Sequence, residues 1–157
     1  PRLADLIAAF PETRFNIDLK ADNTVQPFLA LIRKLRCQDR LCVGSFSHER
    51  VLAVRTAFPG ICTSLTPKEV FWARLRSFYI PTFKIQGDCA QVPERAGKIP
   101  LVDLRFLNMA RKLGIQTHVW TVNEVHDMRR LSNLGVEGLM TDDASALKQV
   151  LQDLGRW

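Results

Sequence analysis

Residues 15–35, FNIDLKADNTVQPFLALIRKL, decide the fold class. The first six alternate. Phe15, Ile17 and Leu19 take one side and Asn16, Asp18 and Lys20 the other, which is the period of a strand. From Asn23 or Thr24 the period changes. Val25, Phe28, Leu29, Ile32 and Leu35 recur at helical spacing, and Pro27 falls close enough to the start to cost little. A strand that runs straight into an amphipathic helix is the unit of a parallel sheet, because the helix carries the chain back for the next strand.

The same unit recurs in both directions. Before it, Leu3, Leu6, Ile7 and Phe10 form a helical stripe. After it, LCVGSF (41–46) reads as a strand, with a helix from about Ser47 that places Val51, Val54, Arg55 and Phe58 on one side. ICTSL (61–65) is followed by TPKE. There Thr66 is expected as N-cap, Pro67 in the first helical position and Glu69 as the capping-box partner. DCAQV (88–92) is a strand, followed by a loop through Pro93, Gly97 and Pro100. Asp103 then caps a helix with Leu104, Leu107 and Ala110 inside, ended by Gly114. Residues 115–122 read as strand, Asn123 as a cap and Gly135 as a helix stop. EGLMT (137–141) is the last strand. The final helix starts near Asp143 and buries Ala144, Leu147, Val150, Leu151 and Leu154.

Six strand–helix units after a leading helix mean an α/β fold with a parallel sheet covered by helices. An open doubly wound sheet and an eightfold barrel both satisfy this pattern. A full (β/α)8 TIM-type barrel takes about 250 residues. Six units are what remains when a barrel lacks its first two strands. Either way, ligands bind at the C-terminal ends of the strands.

The chain has 157 residues, 46% hydrophobic and 24% charged, which suits one domain with a sizeable core and excludes disorder. No apolar run is long enough to span a membrane and no secretory leader is visible. The chain opens on Pro1 rather than Met, which points to a processed or partial chain. The net charge of +6 is dispersed as Arg33, Lys34 and Arg36, then Arg74 and Arg76, Arg111 and Lys112, and Arg129 and Arg130. Each group falls near a helix end, where cations suit the dipole and a solvated face, so no nucleic-acid partner is implied. Cys37, Cys42, Cys62 and Cys89 show no zinc spacing and read as free thiols in a reducing, cytoplasmic setting.

At the strand ends stand Asp18 and Lys20; Ser45 and Phe46; Ser64; Gln91; Trp120, Thr121 and Asn123; Thr141 and Asp142. Asp18 and Lys20 share one face. They are either a structural ion pair or a metal carboxylate beside a phosphate-binding lysine, since carboxylates suit hard divalent ions and lysine is a compact cation. Trp120 either fills core or walls a pocket. Asn123 and Asp142 are expected to cap helices, Ser45, Ser64 and Thr66 to serve as turn or cap residues, and His48 and His126 to be solvated. No Gly-rich phosphate loop or Gly-x-Ser-x-Gly elbow is present.

FNIDLK, VGSF, QVP, HVWTVNE and GVEGLMTDDASAL, taken in that order, resemble the glycerophosphodiester phosphodiesterase family, and LADLIAAFP resembles the helix before its third strand. The resemblance covers nearly the whole chain. It implies an eightfold α/β barrel that hydrolyses glycerophosphodiesters to glycerol 3-phosphate and an alcohol with a divalent ion, Ca²⁺ or Mg²⁺. It further implies attack by the substrate's own glycerol hydroxyl, then opening of a cyclic phosphate by water. By the same resemblance Asp18 is a metal ligand where the family usually has glutamate, Lys20 contacts the phosphate, and Trp120 is an active-site aromatic. The family's first two strands carry a His-Arg pair, a Glu-x-Asp pair and a second histidine, for acid–base work and the rest of the metal site. None of these motifs occurs in the 157 residues. The chain thus reads as strands three to eight of such a barrel, inactive or nearly so by itself, with sheet edges open to self-association. A noncatalytic ligand- or partner-binding remnant of the same barrel is the alternative.

Overall fold

A computed structural model describes all residues, Pro1–Trp157, and divides into two compact units, Pro1–Lys68 and Glu69–Trp157.

In the first unit α1 (Leu3–Ala9) leads to β1 (Phe15–Asp18), α2 (Val25–Leu35), β2 (Leu41–Gly44), α3 (His48–Ala57) and β3 (Cys62–Thr63). The strands pair in parallel in the order β1-β2-β3, with Phe15 opposite Leu41 and Asp18 opposite Gly44. The alternation along β1 does what the sequence suggests. Phe15, Ile17 and Leu19 pack with Leu41, Val43, Phe28, Leu29, Ile32, Val54 and Ile61 in one core. Asn16 and Asp18 face away from it and are exposed. Leu35, expected inside, is exposed because α2 ends there and Arg36 turns left-handed. Ser47 caps α3 by accepting the Arg50 amide.

The second unit takes up α4 (Pro67–Arg76), β4 (Cys89–Val92), α5 (Leu104–Lys112), β7 (Gln116–Val119), α6 (Val125–Leu134), β8 (Gly138–Leu139) and α7 (Ala144–Asp153). Its parallel sheet has the order β4-β7-β8. Phe106, Leu107, Val119, Met128, Leu131 and Val150 are among its largest fully buried side chains. Asp103 and Asp143 cap α5 and α7 through the amides of Phe106 and Ala146. Gly135 closes α6 at φ 95°, where a side chain is strained and a Cβ would also meet the Arg111 guanidinium.

Three expectations are corrected. The loop after β4 contains an antiparallel hairpin, β5 (Arg95–Ala96) with β6 (Ile99–Pro100), too short to show a period in sequence. Leu104 is exposed, since the buried stripe of α5 runs through Phe106, Leu107, Met109 and Ala110. Nor are the arginines merely solvated. Arg74 forms a bidentate pair with Asp103 at 3.0 and 2.7 Å, tying α4 to the start of α5. Arg111 bonds Glu137 and the Gly135 carbonyl. Arg130 joins Glu94 and Asp127, and Arg40 reaches back to the Phe10 and Thr13 carbonyls. Part of the positive charge is thus spent on clamps between elements.

All four cysteines are free thiols, and no helix is long and apolar enough to cross a membrane. Hydrogen bonding by Arg74 holds the Asp103 carboxyl below the usual carboxylate range. A depressed folded-state pKa stabilises above the unfolded value and loses that contribution as pH falls through the folded one. Asp103→Asn should therefore cost about 1–2 kcal/mol at neutral pH in urea unfolding, through the lost cap and clamp. The gap from the parent chain should narrow on acidification below about pH 4, the ordinary carboxylate range.

Candidate functional site

The end of β1 is built around one carbonyl. Leu19 is buried in the core and its amide donates to the Gly44 carbonyl, continuing the ladder one residue beyond the strand. Its own carbonyl accepts from Ser45 Oγ at 2.6 Å and Arg50 Nη1 at 3.0 Å. Ser45 is buried and its oxygen also receives the Ser47 amide at the start of α3. Arg50 completes the brace with an ion pair to Asp22 at 2.6 Å. A fixed Leu19 between Asp18 and Lys20 fixes where both charged side chains leave the strand.

Asp18 and Lys20 do meet. Lys20 Nζ lies 2.6 Å from Asp18 Oδ2. Both are exposed, Lys20 at 80% and Asp18 at 38% of its side-chain surface, so this is no buried structural pair. An exposed pair of this kind is worth about 0–1 kcal/mol. Little stability is therefore lost when the two side chains part to take up other partners. Asp18 supplies a hard carboxylate donor, which fits a divalent ion as one member of a larger oxygen set. The ammonium beside it suits a phosphate oxygen.

His48 is not solvated as expected. It is half-buried, with Nδ1 3.2 Å from Thr66 Oγ1, whereas His126 is exposed. Glu69 is buried and accepts the Gln86 amide, which takes its carboxylate beyond a purely local cap.

In the second unit Trp120 stands just past β7, half-buried, its amide donating to the Val92 carbonyl of β4. The Trp120–Thr121 peptide is cis. Asn123 does not cap α6; Glu124 holds that position without a side-chain cap. Asn123 Oδ1 instead accepts from Thr141 Oγ1 at 3.1 Å and the Asp142 amide at 3.0 Å, and its Nδ2 donates to Asp142 Oδ2. This network laces the loops after β7 and β8 together, and Asp143 rather than Asp142 caps α7. Below it, Gln91, His118 and Gly138 lie in register across β4, β7 and β8. A Cβ on Gly138 would come 2.7 Å from His118 Cδ2. The glycine thus gives the imidazole room to lie across its neighbour strand. The available signal was a lone glycine inside a strand, which often marks a close approach.

A family model described as the glycerophosphoryl diester phosphodiesterase family matches residues 7–146. The chain is 32% identical to "Probable glycerophosphodiester phosphodiesterase 2" of Mycobacterium tuberculosis over 100% of its own length and 62% of that protein. It is 26% identical to "Lysophospholipase D GDPD1" of Rattus norvegicus, over 98% of the chain and 57% of the relative. The chain thus spans about three fifths of the curated relatives it matches. Among solved structures, an Oleispira antarctica phosphodiesterase in complex with the product sn-glycerol-3-phosphate superposes with a TM-score of 0.70 at 14% identity, covering 97% of this chain and 61% of the other. That likeness gives the fold, the α/β architecture of the TIM-barrel type, here as parallel sheets without a closed barrel.

Two substitutions check the supports. Ser45→Ala removes a buried donor to Leu19 and should cost about 1–2 kcal/mol in denaturant unfolding. Gly138→Ala should cost about 1–3 kcal/mol through overpacking. Adding His118→Ala should recover most of the second loss, and a purely additive double-mutant cycle would contradict the contact.

Proposed function

This chain belongs to the glycerophosphoryl diester phosphodiesterase family, and from that premise we propose that it forms strands three to eight of a phosphodiester hydrolase barrel acting on glycerophosphodiesters. The observation that carries the reading is the exposed Asp18–Lys20 pair at the C-terminal end of β1, inside the matched region. Ligands of such folds bind at strand ends. The product-bound relative with the same fold supports glycerol 3-phosphate as the shared moiety. β1 and β8 each lie at the edge of their sheet, where a barrel's remaining strands would add. In their absence those edges are where copies of the chain would associate.

Lys20 holds a phosphate oxygen, and Asp18 is one ligand of a divalent ion, Ca²⁺ or Mg²⁺. Lewis-acid withdrawal of charge from the phosphoryl oxygens is the chemistry such an ion supplies when bound. Trp120 gives a substrate pocket an aromatic wall. Ser45 and Arg50 act through Leu19, holding the backbone between the two charged side chains. The acid–base histidines and further carboxylates expected of the family are not among these residues. Each acid–base group is worth about 10²–10⁴-fold in rate.

The 157-residue chain, assayed with glycerophosphocholine and Ca²⁺ or Mg²⁺, should therefore show little or no turnover. Robust turnover would show that the chemistry needs no further strands. Chemical-shift titration with sn-glycerol 3-phosphate tests the binding half of the proposal. Lys20→Ala should weaken it about tenfold or more, the loss of one hydrogen bond to a charged group. Unchanged affinity would remove Lys20 from the site. A longer protein supplying His-Arg and Glu-x-Asp motifs should release glycerol 3-phosphate from the diester and lose that activity on Asp18→Ala.

A further inference from the structure

We propose that the segment from Phe71 to Lys84 docks this protein on an anionic phospholipid bilayer. The inference stands on surface chemistry in the second unit and does not depend on the catalytic reading.

The segment, FWARLRSFYIPTFK, spans the last part of α4 and the chain beyond it. Phe71, Phe78, Tyr79, Ile80 and Phe83 are all exposed, Phe83 at 71% and Tyr79 at 89%. Large apolar side chains gathered over so short a stretch are unusual on a monomer surface, where a contiguous patch marks an interaction site. The charge carried by the segment itself has one sign. No acidic residue occurs from Val70 to Gly87, while Arg74, Arg76 and Lys84 do. Of the acids nearby, Glu69 is buried and accepts the Gln86 amide, Asp103 is paired with Arg74, and Asp88 follows just past Gly87, so Arg76 and Lys84 are the cations the segment leaves to an outside partner. Arg105 adds a further cation, 5.7 Å over the Phe78 ring. Aromatic rings with interleaved cations match a bilayer interface, whose depth holds the rings and whose anionic headgroups meet the cations.

Tyr79 carries the argument further. It sits at φ 64°, the left-handed turn that ends α4, with its amide bonded to the Arg76 carbonyl. Glycine is the cheap residue there and a tyrosine is strained. Within the chain nothing covers the exposed ring to offset that strain. The strained conformation instead projects the aromatic away from the molecule, beside Phe78 and Ile80.

The same composition could stack on single-stranded nucleic acid, but the geometry disfavours that occupant. Trp72 meets Phe71 and Phe83 edge to face, each pair of centroids 5.1 Å apart, and the three do not offer a row of parallel ring faces. Ile80 and Pro81 give depth for acyl chains and no stacking surface.

The test is co-sedimentation of the chain with vesicles of phosphatidylcholine alone, and with phosphatidylglycerol added. The chain should pellet with the anionic vesicles, weakly or not at all with the neutral ones, and less at high salt. Tyr79→Gly should lower binding several-fold while leaving thermal stability equal or higher, which separates lost contact from lost fold. Arg76→Glu with Lys84→Glu should weaken binding about tenfold or more. The charge-matched Lys34→Glu with Lys112→Glu, outside the segment in sequence, should not. Absence of vesicle binding, equal binding to neutral vesicles, or equal loss in the charge-matched control would overturn the proposal. So would preferential capture of a single-stranded RNA oligonucleotide, or self-association lost on Tyr79→Gly without vesicle binding.

Discussion

A parallel strand can pair with its neighbour only after the chain has crossed back over the sheet, and the rest of this structure follows from that requirement. Each short strand must be followed by a helix, and the helix must bury one face against the sheet. Strand side chains have period two, so covering one face assigns the other to a second role. In β1, Phe15 and Ile17 go to the helices with Leu19 just beyond, and Asn16 and Asp18 are turned away with Lys20. The charged face is thus a consequence of core formation. Moving β1 by one residue would place Asp18 in the core and Ile17 outside.

The strand ends are where backbone groups run out of ladder partners, and side chains from the following turn take them over. Ser45 and Arg50 do this for Leu19, while Asn123 and Thr141 do it between the loops after β7 and β8. These supports brace the strand ends of each unit by themselves, and in the first unit they do so without burying Asp18 and Lys20. Asp18 and Lys20 remain exposed on a braced backbone, which is what the proposed exchange of each other for a ligand requires. Rigid framework and available side chains come from the same hydrogen bonds.

Two groups of basic residues stand apart from the rest. Arg40, Arg74, Arg111 and Arg130 are committed to carbonyls and carboxylates within the chain. Arg76, Lys84 and Arg105 sit beside exposed aromatics with no acidic residue from Val70 to Gly87. A net charge of +6 averages over both and describes neither.

Much of this was legible in the sequence because it is local. The alternation of FNIDLK, the stripe of α2, the proline opening α4, the Asp103 cap and the glycine after α5 depend on residues within a turn of one another. The pairing of Asp18 with Lys20 belongs here too, since period two forces it. The family motifs were readable for the same reason, as short runs in fixed order. Tertiary structure alone decided the rest, because the partners are far apart in the chain. Asn123 looked like a cap and instead accepts from Thr141 and Asp142; His48 looked solvated and meets Thr66. Arg74 looked like a surface charge and clamps Asp103. Gly138 looked like any strand glycine until His118 lay across it. No propensity records such contacts, since each depends on which elements the fold brings side by side.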